Sequence, residues 1–334
     1  MKVFYSDKFL LHEPPEGVYH PERPERLRLA LEGVGKARVG ELVEPCEGRV
    51  EAFLEVHDES YYQRVVESAK HGPSWLDPDT YIVPGTLEAL QRLACAVDMA
   101  VEEAETGARA LILGRPPGHH AGRSGTGLGA PTLGFCIFNA SALVAVRLAR
   151  KGRVAVLDFD AHHGNGTQDI LWDLNILHVD IHQDSATIYP GTGFPGQTGG
   201  VKGTKANINL PPGSRDDIGL DAISYAGRLV SEWDPDYIVV SAGFDGMSGD
   251  NYMVSLMLGE AFYNEAGRIL SRLGVPVVVV LEGGYERGLI DGLSAFLEGL
   301  HGRGGYRPGG ESDSRAWSWY RRRIAELEEA LGRS

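Results

Sequence analysis

The chain has 334 residues, 43% of them hydrophobic, a formal net charge of −14 and three cysteines. That is enough chain for a large buried core, and no run of about 20 apolar residues is present to cross a bilayer. The acidic balance excludes general binding to a nucleic-acid backbone, which needs cationic neutralisation; it suits a cationic ligand or simply favours solubility. Cys46, Cys95 and Cys136 are an odd set without a CxxC pair. This argues against a disulfide framework and against a thiolate metal site. The opening MKVFYSDKFLLHEPPEG carries Asp7, His12 and Glu13 where a secretory signal runs apolar, so a cytoplasmic location is expected.

In chain order, LEALQRLACAVDMAVEEAE (87–105) repeats its apolar residues with helical spacing, and ALILG (110–114) follows as a short aliphatic strand. RPPGHHAG (115–122) then sets His119 and His120 side by side after a Pro-Pro-Gly turn. GRSGTGLGAPTLG (122–134) is glycine-rich but lacks the Lys-Ser/Thr ending of a phosphate loop, and reads as a flexible loop at the rim of a site. NASALVAVRLARKG (139–152) and LDAISYAGRLVSEW (220–233) are helical; RVAVLDFD (153–160), ILHVDIH (176–182), YIVVSAGFD (237–245) and VPVVVVLEGGY (275–285) are strands. Near-continuous apolar strands alternating with helices predict one α/β domain over residues 1–334, an open parallel sheet with helices on both faces. Trp317, Tyr320, Ile324, Leu327 and Leu331 recur three and four apart, an amphipathic helix at about 313–332. It packs on its own domain or joins subunits of a homo-oligomer.

Reactive residues gather where these strands end. His119 and His120 follow the first strand; Asp158, Asp160 and His162 close the second; Asp180 and His182 the third; Asp245 the fourth; Glu282 and Tyr285 the last. Ligands of open parallel sheets bind outside the carboxyl ends of the strands, so five such ends make a site there. Asp160 and His162, two apart, reach the same side, and Asp245 supplies a third ligand. Two oxygens and one nitrogen with a coordination position left for water suit a catalytic zinc, and iron(II), cobalt or manganese fit the same donors. A dinuclear ureohydrolase would need further carboxylates where Gly164 and Met247 stand.

RPPGHHA, GFCIFN (134–139), DFDAHHGNGTQ, YPGTG (189–193), AGFD and LEGGY, with HPERPERL (20–27) ahead of them, resemble in order the motifs of the histone deacetylase and acetylpolyamine amidohydrolase superfamily. Asn165 and Glu282 resemble its class II-like branch. The resemblance implies an arginase-like α/β fold and hydrolysis of an N-acetyl amide at one zinc held by Asp160, His162 and Asp245. It places His119 and His120 against a metal-activated water, Asp158 behind the first and Asn165 behind the second. A carboxylate partner favours imidazolium whereas an amide only orients the ring, so His120 is expected to be the principal base. Tyr285 would donate a hydrogen bond to the substrate carbonyl. Gly134, Phe135 and Tyr189 resemble the walls of a substrate tunnel, Gly283 permits close backbone approach, and Tyr252 falls at a variable rim position. Arg26 resembles an arginine bordering an internal acetate channel, with a helix-surface charge as the competing reading. A structural potassium ion near Asp158 is implied, but Asp180 replaces the usual serine and either binds that ion or substitutes another network. The implied substrate is an N-acetylated cationic amine, either acetyl-lysine in a protein or an acetylpolyamine. A module that binds acetyl-lysine without turnover is the alternative.

Overall fold

Val277-Val-Val-Val-Leu281 and Val154-Ala-Val-Leu-Asp158 are buried along their whole length, as strands covered on both faces must be. The structure, a computed structural model, describes residues 1–250 and 253–333. Its strands are β1 (Lys2–Phe4), β2 (Glu41–Val43), β3 (Ser74–Asp77), β4 (Thr80–Ile82), β5 (Ala110–Ile112), β6 (Ala121–Gly122), β7 (Gly125–Thr126), β8 (Val154–Asp158), β9 (Leu177–Gln183), β10 (Lys205–Leu210), β11 (Tyr237–Ala242) and β12 (Val277–Leu281). Eight of them form one sheet in the order β10-β9-β8-β11-β12-β5-β1-β2, and every pairing in it is parallel. β3–β4 and β6–β7 are separate antiparallel pairs.

The helices are α1 (Glu25–Ala37), α2 (Glu59–Lys70), α3 (Gly85–Glu105), α4 (Ala140–Leu148), α5 (Asn165–Ile170), α6 (Asp216–Trp233), α7 (Glu260–Leu273), α8 (Gly288–Leu300) and α9 (Ser314–Leu331). α3 and α4 pack together on one face of the sheet, while α6, α7, α8 and α1 pack in succession on the other. Their ends follow local chemistry: Asn139 caps α4 by accepting from Ala142 N at 2.8 Å, and Asp313 caps α9 by accepting from Ala316 N at 2.7 Å. Tyr320 and Leu327 of α9 join the main hydrophobic cluster, so the amphipathic helix packs on its own chain beside edge strand β10.

The topology positions the site. From β8 the chain builds outward through β9 and β10, then returns to place β11 and β12 on the other side of β8. Loops leaving β8 and β11 therefore diverge and open a crevice between two central neighbours. No described helix is long and apolar enough to cross a membrane.

The cysteine expectation is corrected. Cys46 and Cys95 form a disulfide with Cα atoms 5.6 Å apart, tying the segment after β2 to α3, and Cys136 is the buried free thiol. Gly48 makes this approach possible: its N–H donates to Gln91 O at 3.0 Å, and a Cβ there would stand 2.5 Å from Cys95 N. An odd total says nothing about two cysteines that backbone packing brings together. The rim-loop expectation for residues 122–134 also needs refinement, because Leu133 N donates to Asp77 Oδ2 at 2.6 Å and Arg123 N to Asp169 Oδ2 at 2.9 Å.

Candidate active site and metal centre

Asp160 and His162 follow β8, Asp245 follows β11, and the strands are paired, so the three side chains converge at the crevice. Their donor atoms lie within 4.8 Å of one another, and all three residues are buried. His162 Nδ1 stands 3.2 Å from Asp160 Oδ1 and 2.8 Å from Asp245 Oδ2. Asp160 Oδ2 accepts from Gly283 N at 2.8 Å, and Asp245 Oδ1 from Ala161 N at 3.0 Å. Asp245 Oδ2 is buried, and His162 Nδ1, although 2.8 Å away, does not meet it in hydrogen-bonding geometry; among the described residues it has no other donor. Only histidines pair with these two carboxylates among the described residues; neither Lys nor Arg does. Burial, reinforced by Asp160, pushes the Asp245 carboxyl above its usual range. Two buried carboxylates, one orphaned oxygen and one imidazole nitrogen form a donor set that fits a divalent cation.

The paired histidines face this cluster. His119 Nδ1 is 3.0 Å from Asp158 Oδ2, and His120 Nδ1 is 2.7 Å from Asn165 Oδ1. Their ring centroids are 4.0 Å apart, and His120 lies 6.0 Å from His162. Burial opposes charge on both rings, but the Asp160 and Asp158 carboxylates outweigh it at His119 and hold that imidazole well above its usual value. At His120 burial dominates, neighbouring His119 and His162 add to it, and the ring is held well below. Asn165 Nδ2 donates to Gly127 O at 2.9 Å, which leaves its Oδ1 to accept from His120 Nδ1–H. The His120 Nε2 lone pair is thereby left as the ring's acceptor.

Glu282 fixes the turn that carries both rings. Its carboxylate accepts from Gly118 N at 2.8 Å, His119 N at 3.1 Å and Ser141 Oγ at 2.9 Å.

A cavity of about 440 Å³ opens onto these groups, lined by Asp79, His120, Gly134, Phe135, His162, Thr187, Ile188, Tyr189, Met253 and Tyr285. Of the expected wall residues, Gly134, Phe135 and Tyr189 lie here; Gly283 lies behind Asp160 instead of on the wall; Tyr252 lies outside the described residues. Gly134 and Phe135 both have positive φ, 54° and 70°. A side chain at 134 would meet His120 Cδ2 at 2.6 Å and the Tyr189 hydroxyl at 2.8 Å, so glycine is required. The strain accepted at Phe135 turns its ring edge-on to Tyr285, with centroids 6.0 Å apart. Burial pushes the Tyr285 phenol well above its usual value, which keeps it a donor.

Arg26 is buried, not a helix-surface charge. Its guanidinium lies 4.5 Å from the Tyr285 ring centroid and donates to Glu282 O, to Gly284 O at 2.5 Å and to Glu22 Oε1 at 3.1 Å. Glu22 in turn takes a two-pronged contact from Arg115, at 2.5 and 2.7 Å. Asp180 is held by His182 Nδ1 at 2.6 Å and Gly164 N at 2.8 Å, with His178 Nε2 3.7 Å away. Asp158, His178 and Asp180 bring ligand atoms within 4.8 Å of one another, and both His178 ring nitrogens are buried without a hydrogen-bond partner among the described residues, so a buried acidic cluster stands where the potassium ion was expected. A wider groove of about 860 Å³, lined by residues such as Glu47, Tyr62, Lys70 and Gln91, shares no residue with the cavity.

Sequence reading missed Asp79, Thr187, Ile188 and Met253 on the wall, and Glu22, Arg115 and Asp250 in support. Asp250 accepts from Tyr285 N at 2.6 Å, Glu286 N at 2.7 Å and Leu289 N at 2.9 Å, so one buried carboxylate fixes the turn bearing Tyr285. Signals were present for three of these: Glu22 and Arg115 stand inside HPERPERL and RPPGHHA, and Asp250 is an acid five residues past Asp245, on the loop leaving β11.

Residues 20–299 match the sequence profile of the histone deacetylase domain. A probable deacetylase of Methanothermobacter thermautotrophicus is 34% identical over 313 residues, covering 90% of this chain and 91% of that one. The acetylpolyamine amidohydrolase of Mycoplana ramosa is 30% identical over 350 residues, covering 90% and 100%. Among solved structures, the HD domain of HDA15 superposes with a TM-score of 0.88 at 26% identity, over 99% of this chain and 97% of that one. On its motifs, its sheet and these similarities, the chain belongs to the histone deacetylase family.

Proposed function

We propose that the chain is a zinc-dependent amidohydrolase that removes the acetyl group from an N-acetylated amine. The observation that carries this reading is the orphaned Asp245 Oδ2 beside Asp160 and His162, at the base of a cavity that also holds His120 and Tyr285. Gly164 and Met247 offer no carboxylate for a second ion, which supports a single-metal site. When bound, the divalent cation supplies a Lewis acid that polarises the carbonyl and lowers the pKa of water towards about 7.

The chain's own groups then divide the work. His120 Nε2 takes a proton from the attacking water, whose oxygen bonds to the acetyl carbon. The Tyr285 hydroxyl donates to the carbonyl oxygen as negative charge develops there, a contribution of about 10²–10³ in rate for one such donor. His119, held as imidazolium by Asp158, donates its Nε2 proton to the amine nitrogen as the C–N bond breaks. Transfer of the proton held by His120 restores the pair, and acetate and the free amine leave. Gly134, Phe135 and Tyr189 flank the aliphatic stem and exclude water. The acidic chain and the acetylpolyamine amidohydrolase among its relatives support a cationic amine, as acetyl-lysine or acetylpolyamine.

The test compares hydrolysis of an acetyl-lysine peptide with that of an acetylated diamine, with metal content assayed on the same preparation. Turnover of either one, abolished by a chelator and by Tyr285→Phe, is the expected result. Binding of both without turnover by metal-loaded protein would instead make it an acetyl-lysine binding module.

A further inference from the structure

Helix α9 lies beyond the matched residues 20–299, yet it grips the segment that forms one wall of the cavity. Asp184, immediately after β9, is fully buried. Its Oδ2 accepts from Trp319 Nε1 at 2.8 Å and Arg323 Nε at 2.6 Å, and its Oδ1 from Arg323 Nη2 at 3.1 Å. A planar guanidinium meeting both carboxylate oxygens fixes orientation as well as distance.

Asp184 then passes this orientation along its own backbone. Its N–H donates to Leu210 O at 2.7 Å, and its carbonyl accepts from Thr187 N at 2.8 Å and Thr187 Oγ1 at 2.7 Å. Its Oδ1 also accepts from Ala186 N at 3.0 Å, closing the turn. The next residues, Thr187, Ile188 and Tyr189, line the cavity, and the Tyr189 ring stands 5.0 Å from that of His120.

The seat of α9 does not depend on this grip. Trp317 Nε1 donates to Asp217 at 2.8 Å, the Tyr320 hydroxyl to Asp221 at 2.8 Å, and Tyr320 and Leu327 are buried against the core. Those contacts attach the helix to α6. Trp319 and Arg323, on an adjacent stripe of the same helix, are directed at one buried carboxylate that shapes the cavity wall.

We infer that α9, through Trp319 and Arg323 on Asp184, is a positioning brace that holds residues 187–189 in place along the cavity wall. Within the proposed acetyl-amine hydrolysis, on which this inference rests, these are positioning residues: neither touches the reacting atoms. Loosening the brace widens the wall, so substrate is held less well while the proton-transfer groups stay in place.

The experiment uses the full chain with Arg323→Met, Trp319→Phe and both together, and Arg323→Lys, which keeps a charge without the fork. The double variant is expected to raise KM about tenfold with kcat changed less than about twofold, the signature of lost binding common to ground and transition states. Arg323→Lys should fall between wild type and Arg323→Met. Amide exchange should rise in residues 184–190 and not in α6. Unchanged KM in the active variants overturns the brace even if the melting temperature drops, since α9 would then only cover the sheet edge. If wild type turns over no acetylated amine, the functional reading fails and exchange alone decides: unchanged protection at 184–190 overturns the brace, and selective loss there supports it.

Discussion

Replacing Gly283 by alanine probes Asp160 without touching its chemistry. Gly283 is not among the glycines of positive φ, so alanine is compatible with its backbone and the perturbation is steric. The new Cβ would stand 2.3 Å from Asp160 Oδ2 and 2.9 Å from Asp245 Cγ, inside the 3.0 Å that such contacts respect. Asp160 would have to withdraw by about 0.7 Å. Room around this oxygen is short, because the Gly243 backbone also stands so close that a Cβ there would come within 2.1 Å of it. Ligand distances tolerate about 0.2 Å, so a shift more than three times larger should weaken metal binding by about 10–100-fold. Overpacking of this kind also costs about 1–3 kcal/mol of stability, and misplacement near 1 Å costs about 10² in rate. Metal retention after desalting, chelator competition, kcat/KM on an acetylated amine and a thermal melt would measure all three. Gly196→Ala, with open space around its Cβ, is the silent control. Gly283→Ala with full metal affinity and activity within about threefold of wild type would refute the assignment of Asp160 as a ligand.

His120→Ala should lose about 10²–10⁴ in kcat/KM, and more than His119→Ala, because a ring held by Asn165 stays neutral while one held by Asp158 does not. The reverse order in a pH–rate comparison would exchange their roles. His57 makes the protein acid-sensitive: its Nδ1 is bonded to Gly122 O at 2.8 Å, its Nε2 accepts from Asn139 N at 2.9 Å, and burial lowers its pKa to about 4. A folded value below the unfolded value of about 6.5 means stability is full above pH 6.5 and falls between there and about pH 4, by up to about 3 kcal/mol. Urea unfolding across that window with an NMR titration of the ring checks this, and a ring titrating near 6.5 would contradict it. Cys46→Ser should cost about 2–4 kcal/mol under oxidising conditions and nothing under reducing ones, read as the difference between melts with and without a thiol.

The central sheet was legible because a strand buried on both faces must be an aliphatic run, as Val277–Leu281 is. β10 escaped because Lys205, Asn207 and Asn209 are buried polar residues whose partners come from distant segments; Lys205 Nζ donates to Ile176 O at 3.0 Å. β1 and β2, at three residues each, are too short to show a period. The convergence of Asp160, His162 and Asp245 could be read because each keeps a short offset from a strand end. Of the cavity wall, Gly134, Phe135 and Tyr189 could be read by resemblance; Thr187 and Ile188 could not, because a turn that Asp184 organises places them, nor could Met253, which a loop after β11 places. Glu22 and Arg115 lie 93 residues apart, and no local pattern announces that a charge in HPERPER is buried. The disulfide escaped for the same reason.

Pairing of β8 with β11 brings Ala161 and Asp245 together across 84 residues of chain. A growing polypeptide therefore offers an Asp–His pair long before the third ligand, and that pair alone grips a cation weakly. On the proposed single-metal reading, loading follows the pairing of β8 with β11, because the full donor set exists only then. Stripping the ion should accordingly silence the protein while leaving its far-ultraviolet circular dichroism intact, since the sheet is held by strands buried on both faces and the three donors sit beyond the strand ends.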